Sequence, residues 1–261
     1  MNKLYSYLLV LLLITTAWAN PIDDKGSQFV YNGAPVSAIN KNDQYLIKKN
    51  YAIHYRYDTK TAEYVVEHPT KEAVTGKASR KDDFRPDPAV PVSNQSQLDD
   101  YAGQPYDRGH LVPAGDNTQS ADIMSESFFL TNMVPQVPNH NRGIWKQLET
   151  QVRNWVIEGK DVYVISGTTY ATGYKTIGNN KVGVPDYIWK VIIDAKSGTG
   201  IAFYFPNKAL PVPDLPKYAT TIADVEAKTG LNFEPKLDAA KKKALETTTP
   251  DLKNWSGIAG K

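Results

Sequence analysis

Apolar and polar side chains alternate over residues 51–58 (YAIHYRYD) and 62–68 (AEYVVEH), with Thr59-Lys60-Thr61 between them. Side chains that change face at every residue predict a β-hairpin here. A different period governs residues 139–160. Ile144, Leu148, Val152 and Trp155 recur at spacings of four, four and three, which is one face of a helix. Asn139 or Asn141 is placed to cap its start and Gly159 to end it. Shorter apolar runs predict a buried strand over 127–138, closed by prolines, another over 161–170, and a second hairpin joining 186–194 to 200–207. Helices are predicted over 220–230 and 235–246, and the segment after Thr247 reads as a loosely packed end. Residues 76–105, rich in Asp, Pro, Ser and Gln, read as a long irregular connection of the kind that carries function. Strands and helices mix without regular βαβ alternation, so the fold class is α+β.

The first nineteen residues change this picture. A lysine near the start, an apolar run from Tyr7 to Leu13 and then Ala17-Trp18-Ala19 follow the order of a secretory signal peptide. Cleavage is expected after Ala19, leaving residues 20–261 as one domain, exported to the periplasm or the extracellular space and free of the membrane. No later segment reaches the ~20 apolar residues of a spanning helix. The chain has no cysteine, so disulfides contribute nothing to its stability. Net charge is +2, and loss of Lys3 with the leader leaves +1. A strongly basic nucleic-acid-binding module is excluded on that count, and any phosphate-binding surface must be a local patch. Tyr is abundant at 16 residues against 7 Phe, which suits β-structure.

Two stretches carry candidate chemistry. YDRGHLVPAGDN (106–117) holds one of four histidines beside an Asp-Arg-Gly. Neutral His110 suits proton removal from water near neutral pH. Arg108 offers a planar fork for phosphate, and Gly109 admits a close neighbour. In the predicted helix Asn141, Trp145, Glu149 and Arg153 lie four apart and share one stripe. Asn141 offers a hard oxygen of the kind that Mg²⁺ accepts. The competing reading of this stripe is an ordinary Glu149–Arg153 surface ion pair below an Asn cap.

The two stretches together resemble the DNA/RNA non-specific endonucleases of the ββα-metal (His-Me finger) superfamily. The resemblance rests on the D-R-G-H at 107–110, the L-T-N-M-V-P-Q at 130–136 and the N-x-x-x-W-x-x-L-E at 141–149, with TGLNFEPKL (229–237) similar to the family's C-terminal segment. It implies a ββα-metal core on a central, mostly antiparallel sheet with flanking helices, the D-R-G-H strand running antiparallel to the strand ending at Gln136. It implies His110 as general base and Asn141 as the direct protein ligand of Mg²⁺, with Mn²⁺ able to substitute. Glu149 would hold metal-bound water, and Arg108 and Arg153 would contact phosphate or transition-state charge. Asn132 and Gln136 occupy positions where the family keeps polar residues at the substrate, and Asp107 would support the loop. An upstream arginine also binds substrate; Arg80 and Arg85 both qualify, and Arg85 is preferred.

The resemblance further implies DNA and RNA as substrates, 5′-phosphate products, and a homodimer and a protein inhibitor as candidate partners. A two-metal phosphatase would need a larger carboxylate cluster. A secreted nucleic-acid-binding protein would be expected to carry more positive charge. His140 reads as a surface residue, His54 and His68 as paired or exposed on the first hairpin, Trp145 and Trp155 as core anchors, and Lys241–Lys243 as a solvated helix face.

Overall fold

The computed structural model describes residues 20–37 and 43–258. The predicted signal peptide lies outside the described residues. Both predicted hairpins form. β1 (Gln44–Ile47), β2 (Tyr51–Arg56) and β3 (Thr61–Glu67) run in succession. The ββ unit comes next, with β4 (Asp107–His110) and β5 (Met133–Gln136), followed by β6 (Val162–Thr169), β7 (Tyr187–Asp194), β8 (Thr199–Pro206) and the short β9 (Ala219–Thr220). Seven of these make one antiparallel sheet in the order β9-β8-β7-β6-β3-β2-β1. β3 and β6 are neighbours in that sheet. The chain therefore leaves the sheet after β3, builds the β4–β5 pair and a helix, and returns to the adjacent position.

The sheet is covered on both faces. On one, Ile53, Val65, Ile188 and Phe203 pack against Leu111, Val134, Trp145, Leu148 and Trp155 of the excursion. On the other, Ala52, Tyr64, Trp189 and Val191 pack against Ile22 and Phe29, helix residues Ile222, Val225 and Leu245, and Phe233. Two buried faces explain why β7 and β8 read as nearly continuous apolar runs rather than clean alternation. Among the described residues no helix is long and apolar enough to cross a membrane.

Four predictions change. The strand expected over 127–138 shrinks to β5, because Leu130–Asn132 forms a tight helical turn first. Pro135 is tolerated inside β5 because that strand belongs to a two-stranded pair with an open edge. The helix expected from Asn139 or Asn141 is interrupted. His140–Trp145 forms a wide π-type turn in which Gly143 leaves helical geometry (φ −105°, ψ −107°), and regular α1 (Lys146–Ile157) begins after it. Neither Asn139 nor Asn141 caps it, whereas Gly159 ends it at φ 99° as expected. α2 (Ile222–Thr229) and α3 (Ala239–Thr247) start at Thr221 and Asp238, whose side chains accept the first free backbone N–H groups. The tail after Thr247 is not loose. Trp255 is 1% exposed, stacks edge-on against Trp155 at 4.8 Å and joins the main core with Ile258.

Candidate active site

β4 and β5 pair antiparallel with Asp107 opposite Gln136, Gly109 opposite Val134 and His110 opposite Met133. A Cβ on Gly109 would lie 2.0 Å from Gln136 Oε1, so glycine is what allows the two strands this approach. The strand delivers His110 to the wall of a cleft of about 610 Å³, which is also lined by Arg80, Arg108, Asn141, Arg142, Lys146, Glu149 and Arg153. Five cations thus face one carboxylate among the described lining residues.

His110 is fixed through both its ring and its backbone. Phe128 stands perpendicular to the imidazole at 5.0 Å and Phe84 is tilted at 5.6 Å. Nε2 is buried without a hydrogen-bond partner. Burial, then the positive charge of Arg80 and Arg108, pulls its pKa down to about 3, so the ring is neutral at physiological pH. Trp145 Nε1 donates to the His110 carbonyl at 3.1 Å. Asn132 holds the next residues: its carbonyl accepts from Leu111 N, its Oδ1 from Val112 N, and its Nδ2 donates to the carbonyls of Val112 and Ser127.

Asn141 enters the cleft from the π-type turn. Its Nδ2 donates to Asp107 Oδ2 at 2.9 Å, which leaves its amide oxygen without a hydrogen-bond partner among the described residues. Arg142 donates to both oxygens of the same carboxylate at 2.8 and 2.5 Å. Partial burial would raise the Asp107 pKa, but these hydrogen bonds hold it below the ordinary carboxylate range. Two turns on, Glu149 lies at the cleft floor, part-exposed yet enclosed by protein. Burial raises its pKa to about 7 against the opposing charges of Lys190 and Arg153. Arg153 donates to buried Asp116 at 2.9 Å and to Thr150 Oγ1 at 3.1 Å. The Glu149–Arg153 pair of the competing reading does not form as an ion-pair contact, and Asp116 takes the arginine instead.

No group of three or more His, Asp or Glu side chains among the described residues could by itself enclose a metal. The donors present, one neutral amide oxygen and one nearby carboxylate, fit a hard cation that keeps most of its water and takes its remaining charge from phosphate. They do not fit a zinc-type site, which needs a full set of protein ligands.

The sequence matches the family described as DNA/RNA non-specific endonuclease over residues 25–240. The chain belongs to the DNA/RNA non-specific endonucleases. It is 34% identical over 210 residues to "Nuclease EXOG, mitochondrial" of Mus musculus, a match that covers 74% of this chain and 57% of that protein. The chain thus spans less than two thirds of that relative's length. It is 31% identical over 214 residues to "Nuclease" of Nostoc sp., covering 77% of each, and 35% identical over 215 residues to "Nuclease C1" of Cunninghamella echinulata, covering 75% of this chain and 84% of that one. A chain of the structure titled "Crystal structure of the EndoG/EndoGI complex: Mechanism of EndoG inhibition" superposes with a TM-score of 0.74 at 27% identity, covering 83% of this chain and 94% of its own.

Within this chain, His110, Arg108, Asn141, Glu149 and Arg153 converge on one cleft. Asn132 and Gln136 do not reach it. Both are wholly buried, Asn132 as the brace described above and Gln136 as a donor to His140 Nδ1 at 2.6 Å. Contact with substrate is replaced by support of the ββ unit. Arg85 also stays out: it donates to Asp83 and the Ser125 carbonyl and lies 4.2 Å over Phe129. Arg80 is the upstream arginine that lines the cleft. His140, expected at the surface, is fully buried, and burial lowers its pKa to about 4. His54 is paired with Asp43 and Glu63, and His68 with Asp161. Trp145 and Trp155 are core residues as expected. Arg142 and Lys146 of the lining were missed, because a charge next to a helix stripe looks like any solvated position. Lys190 was also missed, although a lone lysine inside the apolar run YIWKVIID is a visible signal of a buried charge with partners.

Proposed function

We propose that this chain is an exported, Mg²⁺-dependent endonuclease that hydrolyses phosphodiester bonds of both DNA and RNA and leaves 5′-phosphate ends. The observation that carries the reading is the convergence of His110, Asn141, Glu149 and Arg153 on one cation-lined cleft. Asn141 Oδ1 would hold the metal, with Glu149 accepting hydrogen bonds from its water shell. When bound, Mg²⁺ neutralises charge on the scissile phosphate and the leaving oxygen. Arg108 and Arg153 bind the phosphate and stabilise the charge that grows on it. His110 takes a proton from the attacking water, whose oxygen bonds to phosphorus as the bond to the 3′ oxygen breaks. Burial, and after it the charges of Arg80 and Arg108, depress the histidine's basicity in the free enzyme. The substrate phosphate would offset the two guanidinium charges and so recover the electrostatic part of that loss. Cations that grip phosphate rather than base edges support action on both nucleic acids without sequence preference.

Residues 1–19 support export. A homodimer and a protein inhibitor are the proposed partners, the second supported by the inhibitor named with the EndoG structure. Residues 20–261 and their His110→Ala variant would be incubated with supercoiled plasmid and with RNA, in Mg²⁺ and in excess chelator. The parent is expected to cut both, and chelator or the substitution to stop it, with a loss of ~10²–10⁴-fold for the variant. No cleavage by the folded parent overturns the reading.

A further inference from the structure

Lys190 stands in the middle of β7, the fourth position of an eight-residue strand whose following residues are all buried. It is 1% exposed. Its Nζ donates to Ser166 Oγ on the neighbouring strand at 2.6 Å and to the Leu111 carbonyl at 3.5 Å, and lies 4.7 Å from the centre of the Trp145 ring. The carboxylates of Glu67, Glu149 and Asp116 attract it, and the guanidinium of Arg153 opposes them. An ammonium placed inside a sheet loses its water, and an apolar residue of similar volume usually serves stability as well or better.

The contacts of Lys190 lead to the cleft from below. Leu111 follows His110 directly. Trp145, whose ring faces the ammonium, donates to the His110 carbonyl and stands near enough to Glu149 to favour its charged form. Glu67 shares the sheet face of Val65 and Lys190, 1% exposed, with both carboxyl oxygens lacking a hydrogen-bond partner among the described residues, and the charges of Asp116, Lys190, Glu149 and Arg153 all act on it. We propose that Lys190 is a positioning residue for phosphodiester cleavage: from beneath the floor it holds the Leu111 carbonyl and the Trp145 ring, and through them His110 and Glu149. This inference rests on the nuclease reading of the cleft.

The test separates positioning from simple neutralisation of Glu67. Lys190→Met alone leaves buried carboxylates without their cation and is expected to melt lower than the parent. Lys190→Met combined with Glu67→Gln removes both partners and is expected to regain stability. Plasmid cleavage by this double variant should show kcat down by about 10- to 100-fold, as displaced catalytic groups do, with KM within about twofold of the parent. Glu67→Gln alone should keep the parent's kcat. Ser166→Ala removes the hydroxyl that anchors Nζ and leaves every charge in place. It is expected to fold with near-parent stability and to lower kcat several-fold, and it decides the matter if the double variant does not fold. Parent-like kcat in the folded variants makes Lys190 only the counter-ion of Glu67 and overturns the proposal. A parent that cuts no plasmid refutes the nuclease reading instead.

Discussion

Replacing Glu149 by glutamine keeps the size of the side chain and removes its proton equilibrium. In the metal-free protein this carboxyl titrates near 7 rather than 4.5 because burial disfavours its charge. The unfolded chain releases the proton near 4.5 while the folded chain holds it to about 7. Folding is therefore favoured by that proton at low pH, and the advantage drains away as pH rises through this window. A displacement from 4.5 to about 7 corresponds to about 3 kcal/mol. Water in the open cleft screens part of it, leaving about 2–3 kcal/mol. His110 works the other way in both proteins. Its unfolded form takes up a proton near 6.5 and its folded form only near 3, so its contribution is lost as pH falls below 6.5, and it cancels in a comparison of the two. Melting curves of parent and Glu149→Gln in chelator, from pH 4.5 to 7.5, should diverge in favour of the variant by roughly 4–12 °C. Plasmid cleavage by the variant should be lost over the same range. A melting difference that stays flat with pH, or that grows toward acid, refutes the assignment of a buried, proton-holding carboxyl at the cleft floor.

Three further outcomes are expected. Arg80→Ala should weaken plasmid cleavage and reduce its sensitivity to salt, whereas Arg85→Ala should leave cleavage near the parent level; the reverse ranking in a salt titration would return the substrate contact to Arg85. Trp255→Ala should cost about 3–5 kcal/mol in denaturant unfolding, because it empties a core site against Trp155; a change under about 1 kcal/mol would mean the tail is dispensable. Gly109→Ala should force β4 and β5 apart at Gln136 and lower both melting temperature and kcat, and a variant with parent values for both would show that the strands have slack.

The hairpins and the β6 and α2 elements were legible because short-range periodicity alone decides them. Which segments meet was legible only through the paired motifs. The β4–β5 pairing joins residues far apart in sequence, and no local pattern encodes that. The misses share a cause. Asn132, Gln136 and His140 are polar residues near the chemistry, and sequence does not distinguish a polar group aimed at substrate from one that satisfies buried backbone. Arg80 and Arg85 both lean on an aromatic ring, Phe128 and Phe129, and only the fold decides that Arg80 is the one lining the cleft. The break at Gly143 was invisible because the apolar spacing beyond it stays helical. Trp255 was misjudged because one tryptophan in a polar tail gives no period to read.

The cleft gathers five cations in a chain whose total charge is only +2. A uniformly basic enzyme would cling to a polyanion over its whole surface and slide along it after each cut. On the proposed nuclease reading the grip would be confined to the few phosphates that reach the cleft. The two new ends would then be held by a short patch and part readily. Such a protein would leave its polymer between cuts, so a long substrate would be shortened at scattered points before any one molecule was consumed.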